Sequence, residues 1–170
     1  MLAVPGLALA WEHDSDRQHG YGWDDSFEFF TSDFEFVPER SSNVLDPERD
    51  RITKLMIGHP DLDAYALATA LSTSFTSDLE ISTSGAPFLE ATAPGVNKAT
   101  ALAKYAANLG VDQADVVAYG DNQNDIAMLR WAGTGVAVAN AHPSVLAAAS
   151  AVTASNDDDG VAAHLERYLD

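Results

Sequence analysis

From residue 92 to its carboxyl end the chain alternates helical and β-branched runs without interruption, and this rhythm constrains the fold more than any other feature. Helical spacing sets Leu102, Tyr105, Ala106 and Leu109 on one face of a segment that Asn97 can cap and Gly110 can end. DVVAY at 115–119 reads as a short, fully buried strand. A second helix runs through Ile126, Leu129 and Arg130 to Gly133, followed by a GVAVA strand at 135–139 and a helix at 143–149. A small strand at 152–154 then leads to a last helix, capped by Asp157 or Asp158 and carrying Val161, Leu165 and Leu169. Helices alternating with apolar strands predict a parallel, doubly wound sheet.

Residues 1–91 have a different character. They hold most of the aromatics, an acidic loop at 12–25 and a polar connector at 38–50. Candidate strands lie at 7–11, 27–30, 54–57, 79–82 and 88–91. The single convincing helix, 62–75, opens after Pro60-Asp61 and carries Leu67 and Leu71 four residues apart. Strands with one packed helix predict an α+β layer. The chain therefore divides at about 91–95 into an α+β part, 1–91, and an α/β part, 92–170.

Twenty-six acidic residues against nine basic ones give a formal net charge of −17. Such a surface repels nucleic acid and anionic membrane, both of which need clustered Lys and Arg. It also repels a phosphorylated ligand unless a bound cation reverses the local field. There is no Cys, so thiol nucleophiles, thiolate metal sites and disulfides are excluded. The apolar opening MLAVPGLALAW lacks the basic start of a signal peptide and carries Pro5-Gly6, so it reads as the approach to a buried strand. No apolar run reaches the roughly 18 residues a membrane span needs. The expected location is the cytoplasm.

Ligands of open parallel sheets bind beyond the carboxyl ends of the strands. The 115–119 strand ends in Gly120-Asp121-Asn122-Gln123-Asn124-Asp125 and passes directly into helix. Gly120 permits a sharp turn, and carboxylates four residues apart can converge on a magnesium ion, which commonly takes one or two of them plus water and phosphate oxygens. Alone, the same string reads first as an Asx-rich turn capping a helix, since strand–Gly-Asp–helix junctions are commonplace. A second feature is Lys98, in the context Pro94-Gly95-Val96-Asn97-Lys98 at a helix start. The macrodipole disfavours a cation there, unless an anion is shared between the lysine and the backbone N–H groups.

The strings APGVNKATAL, DVVAYGDNQNDIAMLRWAG, GVAVANAHPSVLAAAS and TASNDDDGVAAHL, in this order, resemble the third and fourth motifs and tail of Cof-type haloacid dehalogenase (HAD) phosphatases. The likeness is close over 89–169 and weaker over 1–88, which resembles the family's α/β cap. It implies a partial HAD-like Rossmannoid parallel sheet with an α+β cap, and magnesium-dependent hydrolysis of a small phosphorylated metabolite through an aspartyl-phosphate. Lys98 would hold the transferring phosphoryl group, Asn124 would contact phosphate, and Asp121 would ligate magnesium with Asp125 supporting the metal site. The family's first motif, Asp-x-Asp, and its second, a Ser or Thr after another strand, precede the cap. The resemblance implies that both are missing and that this chain alone is inactive.

Decoys for these motifs exist. Asp14-Ser15-Asp16 follows a run broken by Glu12-His13, and Asp61-Leu62-Asp63 sits where a helix cap is expected. LEIST at 79–83 imitates the second motif, yet only 14 residues separate Thr83 from Lys98, too few for a strand and a crossover. Two rival readings follow: a non-catalytic domain that binds a phosphate or a partner, and a cap-less phosphatase using Asp14 or Asp16. His13, Asp14, Asp16 and His19 form a weaker metal candidate beside the acidic-loop reading. Trp11, Trp23 and Phe34 can line a cap pocket or simply pack a core, and His142 and His164 read as ordinary residues. Finally, the resemblance places 115–119 between 135–139 and the absent nucleophile strand. Residues 116–119 would then form an open edge suited to self-association, with Leu102 and Leu129 uncovered beside it.

Overall fold

The computed structural model describes residues 4–15, 18–31, 39–46, 51–72 and 78–169. It forms two compact units, Met1–Pro94 and Gly95–Asp170.

The first unit is built on a six-stranded sheet in the order β3-β2-β1-β4-β6-β5. Its strands are β1 (Ala8–Ser15), β2 (Gln18–Trp23), β3 (Arg40–Ser42), β4 (Ile52–Gly58), β5 (Glu80–Ser82) and β6 (Leu89–Thr92). All pairings are antiparallel except β2 with β3. Alternation along the strands supplies two cores. Ile57, Leu89 and Ala91 pack with Leu67 and Leu71 of helix α2 (Ala64–Leu71), while neighbouring Met56 joins Ala8, Ala10, Trp23, Phe27, Phe30 and Phe88. Asp63 caps α2 by accepting the Ala66 N–H at 2.8 Å. Residue 75, the expected end of this helix, lies outside the described residues.

Three expectations for this unit are corrected. The acidic loop at 12–25 is largely a β-hairpin, β1 pairing with β2. Glu12 faces Lys54 across the register and pairs with it at 3.2 Å, so its charge is satisfied inside a sheet. Trp11 lies across Gly22, where any Cβ would come within 2.3 Å of the indole, so the glycine makes room for the ring. The 27–30 strand is instead a short helix, α1 (Glu28–Thr31). The Asp24 carboxylate accepts the Phe27 N–H at 2.9 Å and turns the chain, and Phe27 and Phe30, three residues apart, bury together. Part of the polar connector at 38–50 is strand β3, held by Arg40, whose guanidinium donates to the Trp23 carbonyl and pairs with Asp25 at 2.7 Å.

The second unit is α/β. Its sheet is wholly parallel in the order β7-β8-β9, from β7 (Val117–Gly120), β8 (Thr134–Val138) and β9 (Ala151–Thr153). Helices α3 (Lys98–Leu109), α4 (Ile126–Trp131), α5 (Pro143–Leu146) and α6 (Gly160–Leu165) alternate with them. Asn97 caps α3 in a reciprocal box with Thr100, and Gly110 ends it in the left-handed conformation. The core gathers Ala118, Leu129, Ala137, Val138 and Val145.

Here too the structure amends the reading. Tyr105 and Leu109 are exposed, because α3 packs through the narrower stripe of Ala106 and Leu102. Strand β7 is not fully buried: only Ala118 is, since among the described residues β7 pairs on one side alone. Leu129 is covered after all, because α4 lies against β7 and β8. The turn before α6 is capped by Ser155, which accepts the Asp158 N–H, rather than by Asp157 or Asp158. Among the described residues no helix is long and apolar enough to cross a membrane.

Candidate active site

The carboxyl ends of β7, β8 and β9 share one edge of the parallel sheet, and the GDNQND string leaves β7 there. Gly120 is needed for proximity rather than for a special φ: a Cβ would stand 2.4 Å from the Asp125 Cβ. The string folds into a tight turn closed by Asp125, whose Oδ2 accepts the N–H groups of Asp121 at 3.0 Å and Asn122 at 3.1 Å. The Asn122 carbonyl returns the bond by accepting the Asp125 N–H at 2.9 Å, and its side chain accepts the Gln123 N–H at 3.0 Å.

The other oxygen of Asp125 receives Lys98 Nζ at 2.5 Å. Lys98 also reaches Asn124 Oδ1 at 3.4 Å. The anion that reconciles this lysine with its helix start is thus a carboxylate of the same unit, and the ammonium stays half exposed while Asp125 is buried. Burial pushes the Asp125 carboxyl up. Hydrogen bonds from Lys98, Asn122 and Asp121, with the lysine charge, outweigh it and hold the group below its ordinary value.

Asp121 is arranged differently. Its N–H is held by Asp125, and its carbonyl accepts the His142 N–H at 2.9 Å. Its side chain is exposed and has no partner among the described residues. The structure therefore gathers Lys98, Asp121, Asn124 and Asp125 at one strand end, with one carboxylate consumed internally and one open. An open hard-oxygen donor with a fixed backbone suits magnesium, which retains waters and completes its shell with substrate oxygens. Among the described residues no group of three or more acidic or histidine side chains is close enough to hold a metal without such help.

The decoys lie in other settings. Asp14 sits within antiparallel β1, its carbonyl bonded by Arg51 Nε at 2.9 Å, and Asp16 and Phe34 lie outside the described residues. His13 is buried against Ser41 Oγ at 2.7 Å. Ser41 in turn donates to the Tyr21 carbonyl, so the His13 ring is the donor of the pair. Thr83 is buried beyond β5, an antiparallel strand, and Asp63 is a helix cap. Trp11 and Trp23 are buried in the first unit.

Sequence reasoning reads His142 and His164 as ordinary residues and passes over Asn140 and Asn156. His142 caps α5, its Nδ1 accepting the Ser144 N–H at 3.2 Å. His164 is buried and meets the Tyr119 hydroxyl at 2.8 Å. Asn140 and Asn156 join the loops after β8 and β9. The signal available was position: asparagines directly after two parallel strands.

A profile of the haloacid dehalogenase-like hydrolase family matches residues 12–165. The chain belongs to this family, and its motifs are those of the Cof-type branch. It is 44% identical over 92 residues to a 5-amino-6-(5-phospho-D-ribitylamino)uracil phosphatase of Bacillus subtilis, covering 54% of this chain and 37% of that one. A second B. subtilis phosphatase of the same name is 34% identical over 120 residues, 69% of this chain and 44% of its own length. Among solved structures, a subclass IIB sugar phosphatase shares the fold at a TM-score of 0.78 and 23% identity, over 96% of this chain and 61% of its own. A haloacid dehalogenase-like hydrolase from Bacteroides thetaiotaomicron matches at 0.67 and 28%, over 95% and 61%. The chain thus spans less than half of these curated relatives.

Proposed function

We propose that this chain supplies the phosphate-holding and cation-holding part of a magnesium-dependent phosphomonoester hydrolase acting on a small phosphorylated metabolite. The observation that carries this reading is the contrast at the end of β7: Asp125 saturated by Lys98 and two backbone N–H groups, Asp121 fixed at both peptide groups with its carboxylate open. Asp121 would hold the ion, and Asp125 would support it by fixing the turn. Magnesium bound there would draw electron density from a phosphoryl oxygen and offset the chain's negative field. Lys98 and Asn124 would contact the phosphate, the lysine moving part of its charge from Asp125 to the incoming anion. The names of the two B. subtilis relatives support a phosphorylated metabolite as substrate class.

Covalent phosphoryl transfer needs a carboxylate free to attack. Asp125 faces three donors and Asp121 would be taken up by the cation, so neither suits that role, and Asp14 lies inside an antiparallel strand. The chain alone is therefore expected to show no turnover above background with magnesium across a panel of small phosphate esters. Robust hydrolysis that Asp121→Asn abolishes would overturn this and favour a nucleophile within the chain, Asp14 or Asp16. Tight magnesium-dependent phosphate binding with no turnover would favour the binding-domain reading. Among the described residues β7 pairs only with β8, which further supports self-association through 116–119.

A further inference from the structure

The loop after β8 ties together the ends of all three parallel strands. Toward β9, Asn140 Oδ1 accepts the Asn156 N–H at 3.2 Å, and Asn140 Nδ2 donates to Asn156 Oδ1. The Ala139 N–H adds a bond to the Ala154 carbonyl at 3.3 Å. Toward β7, the His142 N–H holds the Asp121 carbonyl at 2.9 Å. Between these ties the loop turns through Ala141 N–H to the Val138 carbonyl at 3.0 Å, with Ala141 buried. Asn140 is exposed, yet both polar groups of its side chain are used inside the chain. Exposed bonds of this kind contribute little to stability. Their distinctive effect is geometric, since they fix where the next backbone donor, His142, meets Asp121.

We infer that Asn140, clasped to Asn156, is a positioning residue for the Asp121 carboxylate. The amide clasp holds the 139–142 loop, the loop aims His142 N–H, and that bond, with Asp125 on the other side, fixes the Asp121 backbone and so the point from which its carboxylate projects. A ligand oriented by such supporting contacts binds its ion more tightly than a freely rotating one, and losing them typically costs about 10–100-fold in affinity. The inference rests on Asp121 being the cation ligand.

The test uses the full chain, isotopically labelled, as wild type, Asn140→Ala, Asn156→Ala and the double variant. Amide exchange at His142 should accelerate about tenfold in each single variant and no further in the double, with Val136–Val138 unchanged. In parallel, magnesium chloride is titrated while the Asp121 amide resonance is followed. The apparent Kd should rise about tenfold in either single variant, with Asn156→Ala serving if Asn140→Ala fails to fold. Unchanged exchange at His142, or faster exchange with unchanged magnesium affinity, overturns the inference while leaving Asp121 as the ligand. A wild-type Asp121 resonance indifferent to magnesium overturns the cation reading itself, and the positioning role falls with it.

Discussion

At the scale of single residues, two aspartates four positions apart have been given opposite environments by one turn. Asp125 is stabilised as an anion inside the protein, whereas Asp121 meets solvent. The consequence for pH has a definite sign. Asp125 titrates below its ordinary value of 3.8 in the folded state, because its donors outweigh burial. Its contribution to stability is therefore complete above that ordinary value and is lost as pH falls from it through the lower folded value. Asp125→Asn should cost about 2 kcal/mol at neutral pH, since it leaves Lys98 and two backbone donors poorly matched. The difference from wild type should shrink on acidification below about pH 4. Denaturant titrations from pH 7 down to pH 2.5 would measure it, and a penalty that stays constant over this range would contradict the assignment.

At the scale of elements, α3 shows how a helix start can serve a site. Asn97 fixes the first turn, and that turn projects Lys98 toward Asp125. Asn97→Ala should lower stability by about 1 kcal/mol, the usual value of such a cap. It should also broaden the Lys98 side-chain resonances; thermal melting and NMR would check the pair, and sharp, unshifted Lys98 signals would show that the cap does not position the lysine. The parallel unit was legible from sequence because its information is local: period, caps and β-branched runs decide each element. Gly120-Asp121 and Lys98 could be read for the same reason. The hairpin of β1 and β2 was not, because Glu12 looks like a loop residue until Lys54, forty-two positions away, is known to face it. Phe27–Phe30 was read as strand because aromatic runs favour strands, while the decisive contact, Asp24 to the Phe27 N–H, is a turn bond that periodicity does not register. The Asn140–Asn156 clasp joins two loops through side-chain amides, and no spacing rule anticipates such a pair.

At the scale of the whole molecule, two long-range tendencies oppose each other. Strand β7 pairs only with β8 among the described residues, and VAYG carries no Lys, Pro or inward charge to blunt its other side. Such an edge is a template for another strand. A second copy of the same chain can pair β7 with β7 about a two-fold axis, which closes the interface and stops growth at a dimer. Against this stands a net charge of −17 on each copy, so bringing two together concentrates acidic charge. The repulsion acts over the screening length, about 30 Å at 0.01 M salt and about 10 Å at 0.1 M. Backbone hydrogen bonds across an edge act at contact distance and are little affected by that screening. The chain should therefore sediment as a monomer at about 0.01 M salt and shift toward dimer as salt rises through about 0.3 M, with amide protection increasing at Val117–Gly120 over the same range. Replacing Ala118 with Pro would not test that edge, because the parallel register turns the Ala118 N–H toward β8 and the substitution would break the pair inside the sheet. Val117→Lys is the better probe, because Val117 is only partly buried and a lysine there adds the kind of charge that guards natural edges. It should abolish the salt-induced dimer while leaving the melting temperature within a few degrees of wild type. A dimer that persists in Val117→Lys, or one that weakens as salt is added, would place self-association on another surface.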